Sequence, residues 1–133
     1  MPYKLLLADD NKDLVRVLQR RLSEEGYEVV VAFDGKETLA KVKEDKPDII
    51  LLDLMMPELN GFEVLKEIKK MREENKDKRR PVIIISGKGD LEDVVKCYNL
   101  EADHYLNKPF SIEEMRSAIK KMVSLITSPI KYK

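Results

Sequence analysis

Short apolar stretches alternate along the chain with longer segments in which apolar residues recur every three or four positions. The short stretches are mostly rich in branched and aromatic residues, which favours β-strands, and the longer segments have the period of amphipathic helices. Strands are predicted at residues 3–8, 27–32, 48–52, 82–85 and 103–106. Helices are predicted at residues 13–25, 35–44, 61–72, 91–100 and 112–126.

The first, third and fourth predicted strands are nearly continuous in hydrophobic residues, as expected of strands that are covered on both faces. Strands that alternate with helices are parallel and are joined by right-handed crossovers. The pattern therefore predicts an α/β fold with a flavodoxin-like, doubly wound five-stranded parallel sheet of order 2-1-3-4-5, flanked by five helices. In such a sheet, ligands bind beyond the carboxyl ends of the strands.

Residue types at the helix ends support these boundaries. Gly26 follows the first helix as a C-terminal cap. Ser111 and Glu114 have the spacing of a capping box at the start of the last helix. Asp9 or Asp10 is a candidate N-cap for the first helix.

Length and composition limit the possible classes of protein. The 133 residues fit one domain, which we place at residues 1–126 with a short tail at residues 127–133. Lys and Arg number 25, as do Asp and Glu, so no overall field draws the chain to nucleic acid or to an anionic membrane. The single Cys97, the lack of a signal-peptide pattern and the lack of a long apolar stretch favour a cytoplasmic protein.

Polar side chains follow four of the predicted strands at the point where each strand ends. Asp9 and Asp10 follow the first strand, Asp53 the third and Ser86 the fourth, and Lys108 comes two residues after the fifth. Because the carboxyl ends of parallel strands meet at one edge of the sheet, these side chains are expected to lie close together. Three carboxylates in one place repel one another unless a cation lies among them.

Magnesium is the cation that this set of residues favours. Mg²⁺ prefers oxygen ligands and is usually bound by one or two carboxylates together with phosphate oxygens and water. We expect Asp10 and Asp53 to bind it directly and Asp9 to act mainly through water. The lack of paired His or Cys residues argues against zinc.

The same residues suggest phosphoryl transfer. An ionised carboxylate such as Asp53 can attack a phosphoryl donor and form an aspartyl phosphate without a general base. A metal ion, Lys108 and Ser86 would stabilise the charge on the phosphoryl oxygens. Gly87 leaves open space beside the incoming group and provides a backbone N–H.

The sequence resembles a response regulator receiver domain of two-component signal transduction, of the chemotaxis-regulator type. The resemblance covers residues 4–126 and depends on an ordered set of short motifs. These motifs are Leu5-Leu6-Leu7-Ala8-Asp9-Asp10-Asn11, Asp48-Ile49-Ile50-Leu51-Leu52-Asp53-Leu54-Met55-Met56-Pro57, Asn60-Gly61, Ser86-Gly87 and Lys108-Pro109-Phe110. Each motif is weak by itself, but the set in this order and spacing is highly specific.

The resemblance implies a role for each residue at the strand ends. Asp53 would be the phosphoacceptor, and Asp9 and Asp10 would hold Mg²⁺ together with the backbone carbonyl of Met55. Ser86 and Lys108 would bind the phosphoryl oxygens. The family also implies a cis peptide bond between Lys108 and Pro109.

The resemblance further implies a conformational switch. Tyr105 matches the family's switch aromatic, whose ring turns inward when the Ser86 hydroxyl moves toward the phosphate. Phosphorylation would then shift an existing equilibrium and remodel the surface of the fourth helix, fifth strand and fifth helix. Gly87, Glu101, Met55 and Lys88 depart from the commonest family residues or occupy variable positions, so the lifetime of the phosphorylated state is left open.

The expected partners are a histidine kinase or phosphotransfer protein and an unknown downstream protein target. The chain would be a monomer or a phosphorylation-dependent homodimer, either acting alone by contact or forming part of a longer protein. It is expected to be a signalling module rather than a turnover enzyme.

Two alternatives use similar chemistry. A haloacid-dehalogenase-like phosphohydrolase also combines an aspartate, magnesium, a hydroxyl and a lysine, but it carries Asp-x-Asp after its first strand. A flavodoxin-like FMN carrier would need a Ser/Thr-rich phosphate loop after the first strand, where this chain has Asp9-Asp10.

Other polar residues have simpler structural interpretations. His104 is predicted to be an exposed strand residue, Cys97 a small hydrophobic residue of the fourth helix, and the charged residues 76–80 a solvated loop. Leu14 and Val17 lie off the core stripe of the first helix. They either widen its buried face or, with Pro109 and Phe110, dock the helical bundle of a kinase.

Overall fold

The computed structural model describes residues 2–74, 80–87 and 90–127, and these residues form five strands and five helices in strict alternation. In chain order the elements are β1 (Lys4–Ala8), α1 (Lys12–Glu24), β2 (Glu28–Ala32), α2 (Gly35–Asp45), β3 (Ile49–Asp53), α3 (Gly61–Glu74), β4 (Val82–Ser86), α4 (Leu91–Asn99), β5 (His104–Asn107) and α5 (Ile112–Thr127).

All neighbouring strands of the sheet are parallel, and their order is β2-β1-β3-β4-β5. The predicted fold class is therefore confirmed. β1 is paired with β2 on one side and with β3 on the other, and β4 joins β3 to β5. The strand order reverses between β1 and β3, and a doubly wound sheet forms its ligand crevice at such a point.

The sheet separates two hydrophobic cores. Successive side chains of a strand point to opposite faces, so Leu6 packs toward α2, α3 and α4 while Leu7 packs toward α1 and α5. β3 and β4 are buried at every position, which explains their continuous hydrophobic sequence. Among the described helices, none has both the length and the apolar content needed to cross a membrane.

The element boundaries differ from the predicted ones by one or two residues. β3 extends through Asp53 and β4 through Ser86, so both polar residues belong to the ends of their strands. α3 continues to Glu74 and α5 to Thr127. The predicted tail beyond Thr127, Lys88 and most of the charged cluster at residues 76–80 lie outside the described residues.

The capping box at the start of α5 and the glycine after α1 are confirmed. Ser111 Oγ accepts the Glu114 N–H at 3.0 Å, the Glu114 carboxylate accepts the Ser111 N–H at 2.9 Å, and Gly26 has φ +98°. The prediction that Asp9 or Asp10 caps α1 is wrong. Asn11 is the N-cap, and its side chain accepts the Leu14 N–H at 3.1 Å.

The structure also corrects two surface assignments. His104 is half-buried rather than exposed, and burial followed by the charge of Lys121 lowers its pKa. Val17 is 52% exposed and does not widen the buried face of α1, whereas Leu14 packs against the core beneath α1 and α5. Cys97 is fully buried as predicted, and burial raises the pKa of its thiol to about 11.

Arg72 links the end of α3 to the chain that enters β5. Its guanidinium lies 2.8 Å from the Asp103 carboxylate and donates to the Glu101 carbonyl oxygen at 2.8 Å. The same Asp103 oxygen accepts the Val82 N–H at 2.8 Å. Both charged side chains are largely buried, so removing either partner would cost the other a buried ionic contact.

A glycine at position 101 is expected to stabilise the fold. Glu101 has φ +68°, a left-handed conformation that costs a residue with a Cβ about 1–2 kcal/mol. Part of that gain is offset by the greater freedom of glycine in the unfolded chain. We therefore expect Glu101→Gly to raise the free energy of unfolding in urea by about 0.5–1 kcal/mol relative to Glu101→Ala, which keeps the Cβ. Equal stability of the two variants would contradict this account.

Candidate functional site

Three carboxylates meet at the carboxyl edge of the sheet. Asp9 and Asp10 directly follow β1, and Asp53 is the last residue of the adjacent β3. One oxygen from each carboxylate lies within 4.8 Å of the other two. Asp9 and Asp53 are buried and Asp10 is exposed, so the cluster opens to solvent on the Asp10 side.

Asp9 and Asp53 are held by the same local geometry. Asp9 Oδ1 accepts the N–H of Asn11 at 2.9 Å, and Asp53 Oδ1 accepts the N–H of Met55 at 3.2 Å. Each bond reaches two residues along the chain, as in an Asx turn, and fixes the carboxylate against its own backbone. The second oxygen of each carboxylate is thereby directed toward Lys108.

Lys108 places its ammonium group between the two buried carboxylates. Its Nζ lies 2.8 Å from Asp9 Oδ2 and 3.5 Å from Asp53 Oδ2. Burial lowers the pKa of Lys108, but its contacts with Asp9 and Asp53 outweigh burial and leave that pKa above its ordinary value. The Lys108 N–H donates to the Ser86 carbonyl oxygen at 2.7 Å, and the peptide bond to Pro109 is cis, as the resemblance implied.

The cluster carries more negative charge than Lys108 can balance. Burial and then the charge of Asp9 raise the pKa of Asp53 to about 6, although Lys108 and the Met55 N–H act in the opposite direction. A further cation would lower this pKa and relieve the repulsion. The donor atoms are all oxygens, so the set suits a hard cation such as Mg²⁺ and does not suit zinc.

Ser86 is the last residue of β4, Gly87 follows it, and Tyr105 lies within the neighbouring β5. Ser86 is buried and hydrogen-bonds the side chain of Tyr105. Burial raises the pKa of Tyr105, while this hydrogen bond acts in the opposite direction. A Cβ on Gly87 would meet no atom within 4 Å, so an alanine would also fit here.

Two glycines allow the loop after Asp53 to lie close against the rest of the fold. A Cβ on Gly61 would lie 2.4 Å from Leu54 Cα, and one on Gly35 would lie 1.9 Å from the Leu59 carbonyl oxygen. Gly35 and the cap Asn11 were not among the residues predicted for the site. The only available signals were the Asp34-Gly35 pair before a helix and an Asn directly after Asp9-Asp10.

An open cavity of about 330 Å³ lies beside the cluster. It is lined by Asn11, Leu14, Lys108, Pro109 and Phe110. The structure thus brings together three of the four residues that the sequence suggested for docking, and Val17 is not among the lining residues. The apolar walls come from the start of α1 and from the turn after β5, and Lys108 connects the cavity to the carboxylates.

Comparison with known proteins places these features in a family. The family model described as the response regulator receiver domain matches residues 5–120. The alkaline phosphatase synthesis transcriptional regulatory protein PhoP of Bacillus subtilis is 38% identical over 120 residues, which cover 90% of this chain and 48% of the relative. The chain spans about half the length of the curated relatives that it matches.

Solved structures give the same result at the level of the fold. A CheY-like receiver domain protein from Methanospirillum hungatei is 28% identical with a TM-score of 0.86, and the match covers 94% of this chain and 96% of that one. The receiver domain of the Francisella response regulator 1452 is 34% identical with a TM-score of 0.83, and the match covers 92% of this chain and 98% of that one.

The family match runs from β1 into α5 and therefore includes every strand and the whole carboxylate cluster. Phosphorylation switching is the role of this family, and it requires an acidic cluster of the kind found at this edge of the sheet. The chain belongs to the response regulator receiver domains of two-component signal transduction.

Proposed function

We propose that Asp53 is the phosphoacceptor of this receiver domain and that the phosphoryl group comes from a histidine kinase or a phosphotransfer protein. The observation that carries the proposal is the position of the Lys108 ammonium between the Asp9 and Asp53 carboxylates. A lysine held there can stabilise both the ionised nucleophile and the oxygens of a group that arrives on it.

The chain's own groups account for the transfer step. An oxygen of ionised Asp53 attacks phosphorus, the new P–O bond forms, and the donor departs with the electrons of the bond that breaks. The Met55 N–H keeps the carboxylate oriented. Lys108, the Ser86 hydroxyl and the Gly87 N–H would bind the phosphoryl oxygens. Each chain takes up one phosphoryl group, so the domain is a signalling module rather than a turnover enzyme.

A magnesium site is part of this proposal. Asp10 and Asp53 would hold the ion directly, Asp9 mainly through water, and the Met55 backbone carbonyl would complete the protein ligands. The all-oxygen donor set and the raised pKa of Asp53 support this assignment. When bound, the ion supplies positive charge next to the phosphoryl oxygens.

The switch would begin at Ser86. Its side chain hydrogen-bonds Tyr105, so movement of the hydroxyl toward a phosphoryl group would change the position of the Tyr105 ring. Tyr105 belongs to β5, next to α4. There Leu91 is 77% exposed, Val95 48% and Tyr98 45%. We propose that the surface formed by α4, β5 and α5 is the output face, which binds the downstream target or a second phosphorylated copy.

Docking of the phosphodonor is proposed at the cavity next to Lys108. Leu14 and Phe110 provide apolar contact area within reach of the acceptor, which a helical kinase bundle would need.

We further propose one receiver domain at residues 1–126, followed by a tail, in a cytoplasmic protein that binds neither nucleic acid nor membrane through this domain. Curated relatives named as transcriptional regulators suggest that the output is gene regulation by another part of a longer protein.

The phosphoacceptor can be tested with a small phosphodonor. Purified protein with acetyl phosphate and MgCl₂ should gain one phosphoryl group, detected by intact-protein mass spectrometry, and EDTA should prevent the gain. Asp53→Asn should abolish uptake because the amide is not a nucleophile. Asp13→Asn, an equivalent change at an exposed position, is the matched control and should leave uptake intact. Uptake that survives Asp53→Asn would refute the assignment.

Lys108→Gln should change the rate of phosphoryl transfer and the affinity for magnesium in opposite directions. Loss of the ammonium is expected to slow uptake about 100-fold, because one charged contact to the phosphoryl oxygens is removed. Magnesium affinity, measured by isothermal titration calorimetry, should rise because the ammonium no longer competes for the Asp9 and Asp53 oxygens. Lys70→Gln on the exposed side of α3 should change neither quantity. A parallel fall in both would contradict the proposed role.

Asp53→Asn should also change stability in a pH-dependent way. The pKa of Asp53 is raised from 3.8, its ordinary value, to about 6 in the folded protein. The contribution of protonated Asp53 to the free energy of unfolding is therefore fully present below pH 3.8 and is lost as the pH rises through about 6. In EDTA, the variant should match the wild type near pH 4 and exceed it at pH 7.5 by up to about 3 kcal/mol in urea unfolding. Magnesium should reduce this difference by stabilising only the wild type. A difference independent of pH would contradict the charge argument.

A further inference from the structure

A second cavity lies at the opposite edge of the sheet from the carboxylate cluster. It has a volume of about 310 Å³ and is lined by residues of α2, of the second half of α3 and of the segment before β4. These residues are Val42, Lys43, Lys46, Ile68, Met71, Arg72, Glu74 and Arg80. We call it the α2–α3 cavity.

The lining combines an apolar floor with an excess of positive charge. Val42, Ile68 and Met71 belong to the hydrophobic core or pack against it, so they form a fixed apolar surface. The other described lining residues are four cationic side chains and one carboxylate. This local excess contrasts with the chain as a whole, in which Lys and Arg equal Asp and Glu.

Two of the cations have no carboxylate partner among the residues that the structure describes. Lys43 and Lys46 are exposed at the C-terminal end of α2, and no described Asp or Glu forms an ion pair with either. The helix dipole favours cations at this end, but it does not account for an apolar recess next to them.

Arg72 adds an unsatisfied donor to the cavity wall. Its terminal nitrogens bind Asp103 and the Glu101 carbonyl oxygen, but its buried Nε–H has no hydrogen-bond partner among the described residues. Buried polar groups in folded proteins are rarely left in this state.

We propose that the α2–α3 cavity binds a small organic anion whose apolar body rests on Val42, Ile68 and Met71 while its carboxylate or phosphate group contacts Lys43 and Lys46. The volume lies at the lower limit for small-molecule sites, so the ligand is a metabolite-sized molecule. Inorganic anions lack the apolar body, and neutral apolar molecules lack the charge. Both parts of the ligand are therefore required for tight binding.

The test uses 4-phenylbutyrate as the probe and ¹H–¹⁵N NMR of the full chain as the measurement. Saturable shifts are expected for amides at the end of α2 and in the second half of α3, and they should persist in Asp53→Asn, since this site is separate from the carboxylate cluster. Acetate and 4-phenylbutanol, which keep only the charge or only the apolar body, should each bind at least about tenfold more weakly.

The double variant Lys43→Glu/Lys46→Glu should weaken 4-phenylbutyrate about tenfold or more, because two attractive charges become repulsive. Both positions are exposed, so the fold should be retained, which the NMR spectrum itself will show. The matched control Lys70→Glu makes the same kind of change on α3 outside the cavity and should keep the affinity within about twofold. Equal binding of the alcohol, unchanged affinity in the double variant, or no saturable shift would overturn the proposal.

Discussion

The ion pair of Lys108 with two buried carboxylates is the interaction on which the site depends. Asp9 and Asp53 lie in a region from which water is largely excluded, and Asp10 adds a third negative charge nearby. Burial and then the charge of Asp9 raise the pKa of Asp53 to about 6, and the Lys108 ammonium only partly opposes these two effects. The domain therefore holds an electrostatic strain at its carboxyl edge, and any added cation or any loss of negative charge at Asp53 relieves it.

The sheet has to be rigid to keep these charges together. Strand order places β1 beside β3, so Asp9 and Asp53 are neighbours, and it places β4 beside β5, so Ser86 lies opposite Asn107 and close to Lys108. The nearly continuous hydrophobic sequences of β1, β3 and β4 are buried on both faces. Burial of this apolar surface offsets the cost of holding two carboxylates away from water. The hydrophobic residues of β1, β3 and β4, from which the strands were predicted, thus also stabilise a fold that holds buried carboxylates.

The sequence predicted the fold and the grouping of the site residues, because both follow from where apolar runs end. A run such as residues 49–52 followed by Asp53 determines the strand, its burial and the edge at which the carboxylate lies. Details that depend on tertiary packing were not predictable. Asp9 is buried and accepts the Asn11 N–H, while the Asn11 side chain caps α1, and His104 is half-buried beside residues of α5. The Arg72–Asp103 pair joins residues 31 positions apart, and no local pattern indicates it.

Arg72 lies in the wall of the α2–α3 cavity and also contacts Glu101 and Asp103, which precede β5 in the chain. The contact of Arg72 with this part of the chain ends at Asp103, which is itself held in place. Asp103, which receives Arg72, is also bonded to the Val82 N–H at the start of β4, and its own N–H donates to the Val82 carbonyl oxygen at 2.9 Å. Displacement of Arg72 would therefore leave Asp103 anchored to a central strand. Coupling between two sites requires an element with two arrangements that both sites bias, and the hydrogen bonds that hold Asp103 to β4 disfavour a second arrangement there. The geometry favours two independent sites at opposite edges of one sheet.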